Sequence, residues 1–129
     1  MIKLFFYLVN ILFLVFYLCP GSILGMILYD DFNKQPQLTN DFNFSTVDVS
    51  SNHVYAFMLI SFIGFYIYLK KNTKFIIFYL YSISIVLEIL HIVIPNRSFQ
   101  FSDLIGNFLG VLIVLILFYT YFYAKKFFT

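Results

Sequence analysis

The sequence predicts an all-α fold, a polytopic membrane protein built as a four-helix transmembrane bundle. Three observations predict it. The 129 residues are 62% hydrophobic and only 11% charged, with a mean hydropathy of +0.92. A soluble domain has about half apolar and about a quarter charged residues, and a chain this small cannot hide such an excess in its core. The apolar residues also fall into four continuous stretches, at about 4–19, 53–69, 75–94 and 102–123. A helix needs about 20 residues to cross a hydrocarbon core ~30 Å thick. Finally, none of the stretches alternates with period two, and four short runs cannot close a barrel. The same figures exclude a disordered chain and, with one cysteine, a disulfide framework. A net charge of +2 supplies no basic patch, so no nucleic-acid partner is expected. The abundance of Phe (19) and Tyr (11), beside Ile, Lys and Asn, follows A/T-rich codons and is assigned no binding role.

The first stretch stops at Pro20-Gly21, and residues 22–29 either extend it beyond a kink or lie at the membrane interface. Lys3 and a short apolar run resemble a signal peptide, but no small residue precedes a plausible cleavage point, so a retained helix is expected. The polar loop at about 30–52 shows no helix or strand periodicity and reads as a flexible loop or a lid. His53 opens the second helix. The third and fourth are joined by only Pro95 to Phe101, so they should pack antiparallel. Gly106 and Gly110, in a G-x-x-x-G arrangement, are assigned to close helix packing. Lys3, Lys70, Lys71, Lys74, Lys125 and Lys126 share one side of this arrangement, while Lys34 and Arg97 lie on the other with Asp30, Asp31, Asp41 and Asp48. The excess of basic residues places both termini in the cytoplasm and the acidic loop outside.

Few strongly polar groups fall within the stretches, among them His53, Glu88, His91, Asp103 and Asn107. An ionised side chain at membrane depth costs at least ~2.5–3.5 kcal/mol, so each needs a partner or a task. Their depths agree. Glu88 precedes Pro95 by seven residues, which is roughly 10 Å from the outer end, and Asn107 lies about as deep on the next helix. Glu88 and His91 are i and i+3, and Asp103 and Asn107 are i and i+4, so each pair shares a helix face. Arg97, in the turn, could pair with Asp103 or Glu88, or hold a phosphate or carboxylate bidentately.

Three uses of this cluster stay open. It could be a satisfied packing network, with Glu88 bonded to Asn107 and His53, Arg97 on Asp103, and Ser102 capping helix four. His53, Glu88, His91 and Asp103 have the chemistry of zinc or manganese ligands, but their spacing matches no standard metal motif, and no metal or cofactor is assigned. The third use is a pocket for a head group or substrate, one version of which has Glu88 or a histidine as acid or base. Cys19 reads as a small buried hydrophobe.

The run Glu88-x-x-His91, Pro95-x-Arg97, Asp103-x-x-x-Asn107-x-x-Gly110 resembles the signature of the VanZ-like membrane proteins, E-x-x-Q, P-x-R, D-x-x-x-N-x-x-G. His53 followed by Tyr55-Ala56-Phe57 is similar to their histidine-led helix, and Pro20-Gly21 is similar to a common feature after their first helix. The resemblance spans about residues 15–115. Two departures stand out. His91 occupies the Gln position, and Val49-Ser50 occupies the place of an upstream Asp-Lys pair, with Asp48 one position off.

The family is named for a protein associated with teicoplanin resistance. The resemblance implies a multi-pass protein of the bacterial inner membrane, related to the cell envelope. Its candidate site is an outer-face polar pocket of His53, Glu88, His91, Arg97, Asp103 and Asn107. The partners implied are the lipid bilayer, an envelope lipid or glycopeptide-type ligand, and a second copy or another membrane protein. A hydrolase or transferase acting on an envelope lipid, and a structural subunit of a membrane assembly, are the alternatives.

Overall fold

The protein is described from a computed structural model covering residues 2–128. The chain order is α1 (Ile2–Leu18), α2 (Ile23–Tyr29), β1 (Phe42–Phe44), β2 (Val47–Val49), α3 (Ser51–Tyr68), α4 (Thr73–Leu90) and α5 (Phe101–Phe128). The fold is mostly helical. By length and apolar composition, α4 and residues 101–126 of α5 could cross a membrane, and the bent pair α1–α2 adds a third span if counted as one. α3 has 18 residues but opens on Ser51-Asn52-His53, a polar first turn.

Proline has no N–H for a helix ladder and its ring crowds the preceding turn. α1 accordingly ends at Leu18, just ahead of Pro20, and α2 departs from it at 79°. Residues 22–29 are therefore a separate short helix and not a continuation of α1. Ser22 caps it by accepting the Gly25 N–H at 2.9 Å, and Asp30, at φ 53°, ends it in the left-handed region. The loop returns under this elbow, with the Ser22 N–H donating to Phe32 O at 2.7 Å. At the far end of the bundle Asn72 caps α4 by accepting the Phe75 N–H at 3.3 Å.

Two expectations need correction. The segment at 30–52 is not structureless. Phe42 pairs with Val49, and Phe44 with Val47, in an antiparallel hairpin. Strands of three residues are too short for an alternation to show in sequence. The loop is also tied to α3: Asp41 Oδ1 accepts the Ser51 N–H at 2.9 Å, and Asn52 donates to Pro36 O at 2.8 Å. The second correction is the end of α4, which comes at Leu90 rather than near 94. Tight i→i+3 turns follow, with Ile92 N–H to Ile89 O at 3.0 Å and Val93 N–H to Leu90 O at 3.1 Å. The residue before a proline avoids the α region, which prevents the ladder from continuing into Pro95.

α3 is the central helix. It buries Phe57, Ile60 and Phe65 against Phe6 of α1, Ile76 and Leu80 of α4, and Val111 and Val114 of α5. Its closest neighbour is α5, where a methyl group on Gly110 would lie 2.5 Å from Val54 O and 2.8 Å from Phe57 Cβ. One on Gly106 would lie 2.7 Å from Ser50 O. The two glycines thus bring α5 against α3, the helix before its sequence neighbour, and so place His53 beside Asn107. Outward faces stay apolar and exposed, as at Leu12, Leu59, Phe78 and Leu117. A helix apolar all round suits a membrane or a core.

Candidate functional site

The site lies at the loop-covered end of the bundle and is organised around Tyr17, in the last turn of α1. The Tyr17 hydroxyl donates to Glu88 Oε2 at 3.0 Å and accepts from Asn107 Nδ2 at 2.8 Å. It also meets His53 Nδ1 at 2.9 Å, and the same nitrogen lies 3.0 Å from Asn107 Oδ1. These contacts assign the protons. A phenol has one hydrogen, here given to Glu88, and an amide oxygen has none. His53 Nδ1 must therefore be the N–H, shared between Tyr17 Oη and Asn107 Oδ1. In neutral His53 the lone pair is then on Nε2, which faces Asp103 Oδ2 at 3.4 Å.

Glu88 is fully buried. A buried carboxylate persists only with partners, and it has several. Besides Tyr17, its Oε1 accepts the Gln100 N–H at 3.0 Å, and Oε2 lies 3.5 Å from His91 Nδ1. His91 stacks on the Tyr17 ring at 4.8 Å, and its Nε2 donates to the Tyr17 carbonyl at 3.1 Å. That bond fixes a hydrogen on Nε2 and turns Nδ1 toward Glu88. Asn107, also fully buried, uses a second donor on Ser84 O at 3.3 Å.

Five of the six residues named from sequence thus converge. Arg97 does not. Its Nε donates to Cys19 O at 3.1 Å and its Nη2 to Gly21 O at 2.8 Å. These carbonyls are freed by the break after α1, and a guanidinium fork satisfies both. Arg97 is therefore a clamp on the α1–α2 elbow, and the pairing with Asp103 or Glu88 is not formed. Ser102 lies inside the first turn of α5 and is not its cap, since the Leu104 N–H already donates to Gln100 O at 3.1 Å. Glu88 is bonded to Tyr17 and Gln100 in place of Asn107 and His53.

Beside His53 and Asp103 opens a polar cavity of about 200 Å³. Gln35, Gln37 and Asp41 line it from the loop, Ser50, Asn52 and His53 from the start of α3, and Gln100 and Asp103 from the start of α5. The loop is thus a wall of the cavity. A second cavity, about 350 Å³, is lined by Tyr119, Thr120 and Tyr123 of α5 alone and holds no carboxylate or imidazole. Among the described residues, His53, Glu88 and Asp103 each offer a ligand atom, all within 4.8 Å of one another. His91 stands outside that set.

Tyr17, Gln100 and the loop residues Gln35, Gln37 and Asp41 were not apparent from sequence. Tyr17 is one of 11 tyrosines in an apolar helix, and no spacing singles it out. Its only signal is position, three residues before the Pro20-Gly21 break and at the depth of Glu88.

The fold and site define a helical chain with two or three potential spans, carrying a buried Tyr–His–carboxylate network at one end. No protein-family model matches this chain, and no curated protein or solved structure matches it either.

Proposed function

We propose that the chain is a VanZ-like integral membrane protein of the bacterial inner membrane, its four long helices forming a transmembrane bundle with both termini cytoplasmic. The cavity then opens on the outer face and binds the polar head group of an envelope lipid or a glycopeptide-type ligand. The observation that carries this reading is the meeting of a cavity walled by amides, a hydroxyl, an imidazole and two carboxylates with an apolar helix surface. A ligand seated there keeps its apolar part in lipid and its polar part among hydrogen-bonding groups. Because Arg97 is held on backbone carbonyls, the protein's own side chains suit a group rich in hydroxyl and amide functions. Glu88, His91 and Asn107, three of the residues that carry the family resemblance, meet around Tyr17 next to this cavity.

Membrane particles that retain native lipid test the reading. Mass spectrometry of lipid co-purified with the full chain should show enrichment of one envelope component. Asn52→Ala and Asp103→Asn should remove the enrichment while the protein still accumulates. Equal enrichment in wild type and both variants would sink the proposal. A second reading, hydrolysis or transfer at an envelope lipid, is favoured by one observation: His53 Nε2 faces both Asp103 and the cavity, as a general base would.

A further inference from the structure

The geometry points to a divalent-cation site at the cavity wall, with His53 Nε2, Asp103 and Glu88 as protein ligands for an ion of the zinc type. It rests on the cavity described above but not on what the cavity recognises.

The first support is the orientation of His53. Its Nδ1 hydrogen is committed to Tyr17 Oη and Asn107 Oδ1, so the neutral ring presents a lone pair at Nε2. Metal-binding histidines have this arrangement, one nitrogen on the ion and the other donating to a fixed acceptor. The second is distance. His53 Nε2 and Asp103 Oδ2 are 3.4 Å apart. Zinc bonds of ~2.0–2.1 Å at tetrahedral angles separate two ligand atoms by about 3.4 Å. Two lone pairs facing each other at this distance repel unless a positive charge lies between them.

The third support is the rest of the shell. Glu88 places an oxygen within 4.8 Å of a ring nitrogen of His53 and of an Asp103 oxygen, close enough to join an ion held by those two residues. The Gln100 N–H and the Tyr17 hydroxyl anchor its carboxylate. Three protein ligands and one open direction into a polar cavity match a zinc site that keeps a position for water or substrate. Local charge agrees, because the site has two carboxylates and the nearby guanidinium is turned to backbone carbonyls. An ion here adds a positive centre to the cavity, and an anionic oxygen of a head group could occupy its open position.

Purified full-length protein, stripped by a chelator and titrated with Co²⁺ alone and with Zn²⁺ alone, tests the site. One ion per chain is expected, with the visible absorption of four-coordinate Co²⁺. Asp103→Asn should weaken affinity at least ~10-fold, and Tyr17→Phe, which removes a partner of both His53 Nδ1 and Glu88, by ~10-fold. Asp48→Asn, on the hairpin and outside the cavity lining, should leave it unchanged. No saturable binding, or equal affinity in wild type, Asp103→Asn and His53→Gln, overturns the site and leaves a proton between His53 and Asp103. Should His53→Gln fail to accumulate, Asp103→Asn decides alone. Protein that keeps its co-purified lipid but binds no ion refutes the ion and spares the head-group reading. Protein that binds the ion without selecting any lipid does the reverse.

Discussion

Arg97 donates to Cys19 O and Gly21 O, two carbonyls that the break in the first helix leaves without helical partners. A buried polar group deprived of its bond costs about 1–3 kcal/mol. Arg97→Ala should therefore lower the thermal midpoint in detergent, and Arg97→Lys, which loses the planar fork, should recover only part of it. An anion-binding role would leave stability unchanged and alter ligand retention instead. At Tyr17 the phenol holds three partners at once. Tyr17→Phe keeps the ring on His91 but removes those bonds, and a loss of about 1–3 kcal/mol is expected from unfolding in detergent. At this scale sequence was a good guide to Glu88, His91, Asp103 and Asn107, because polar residues are costly in apolar segments and therefore conspicuous. It was a poor guide to Tyr17, whose ring belongs in lipid or core, so only its hydroxyl contacts distinguish it from ten other tyrosines.

Among the elements, the α3–α5 crossing controls the alignment of the site. His53 comes from α3, Asp103 and Asn107 from α5, and the contact distance is set where Gly106 and Gly110 meet Ser50, Val54 and Phe57. Gly110→Leu should force the helices apart, because even a methyl there would lie 2.5 Å from Val54 O. Both thermal stability and ion binding should fall. Gly64→Ala, where the nearest contact is the flexible end of Ile76 at 3.0 Å, should be far milder. The G-x-x-x-G spacing was visible in sequence, but its partner was not: the packed structure places the glycines on α3. The hairpin and the α1–α2 elbow were similarly hidden. Pro20-Gly21 announced a break, yet a 79° turn depends on the loop that packs beneath it.

For the whole molecule, the charges predict an orientation that the cavity makes testable. With Cys19 replaced by Ser, a cysteine at Ser45 should react with an impermeant reagent in intact cells, and one at Lys71 only after permeabilisation. The opposite pattern would invert the bundle and put the cavity in the cytoplasm. The network spans the bundle as well: α1 supplies Tyr17, α3 His53, the α4 segment Glu88 and His91, and α5 Asp103 and Asn107. Small shifts of any one helix should therefore weaken the site.

By itself the sequence determined that the chain is helical, apolar and suited to a membrane, because composition and run length are sums over local residues. It also marked the polar residues that such a setting makes expensive. The tertiary structure alone decided which of them meet. Tyr17 and Asn107 are 90 positions apart and 2.8 Å apart in space, Arg97 turned from the cluster to the helix break, and His53 took the tautomer its neighbours impose. Those outcomes depend on helix crossing and on which backbone groups are left unsatisfied, and neither quantity is present in any local stretch of residues.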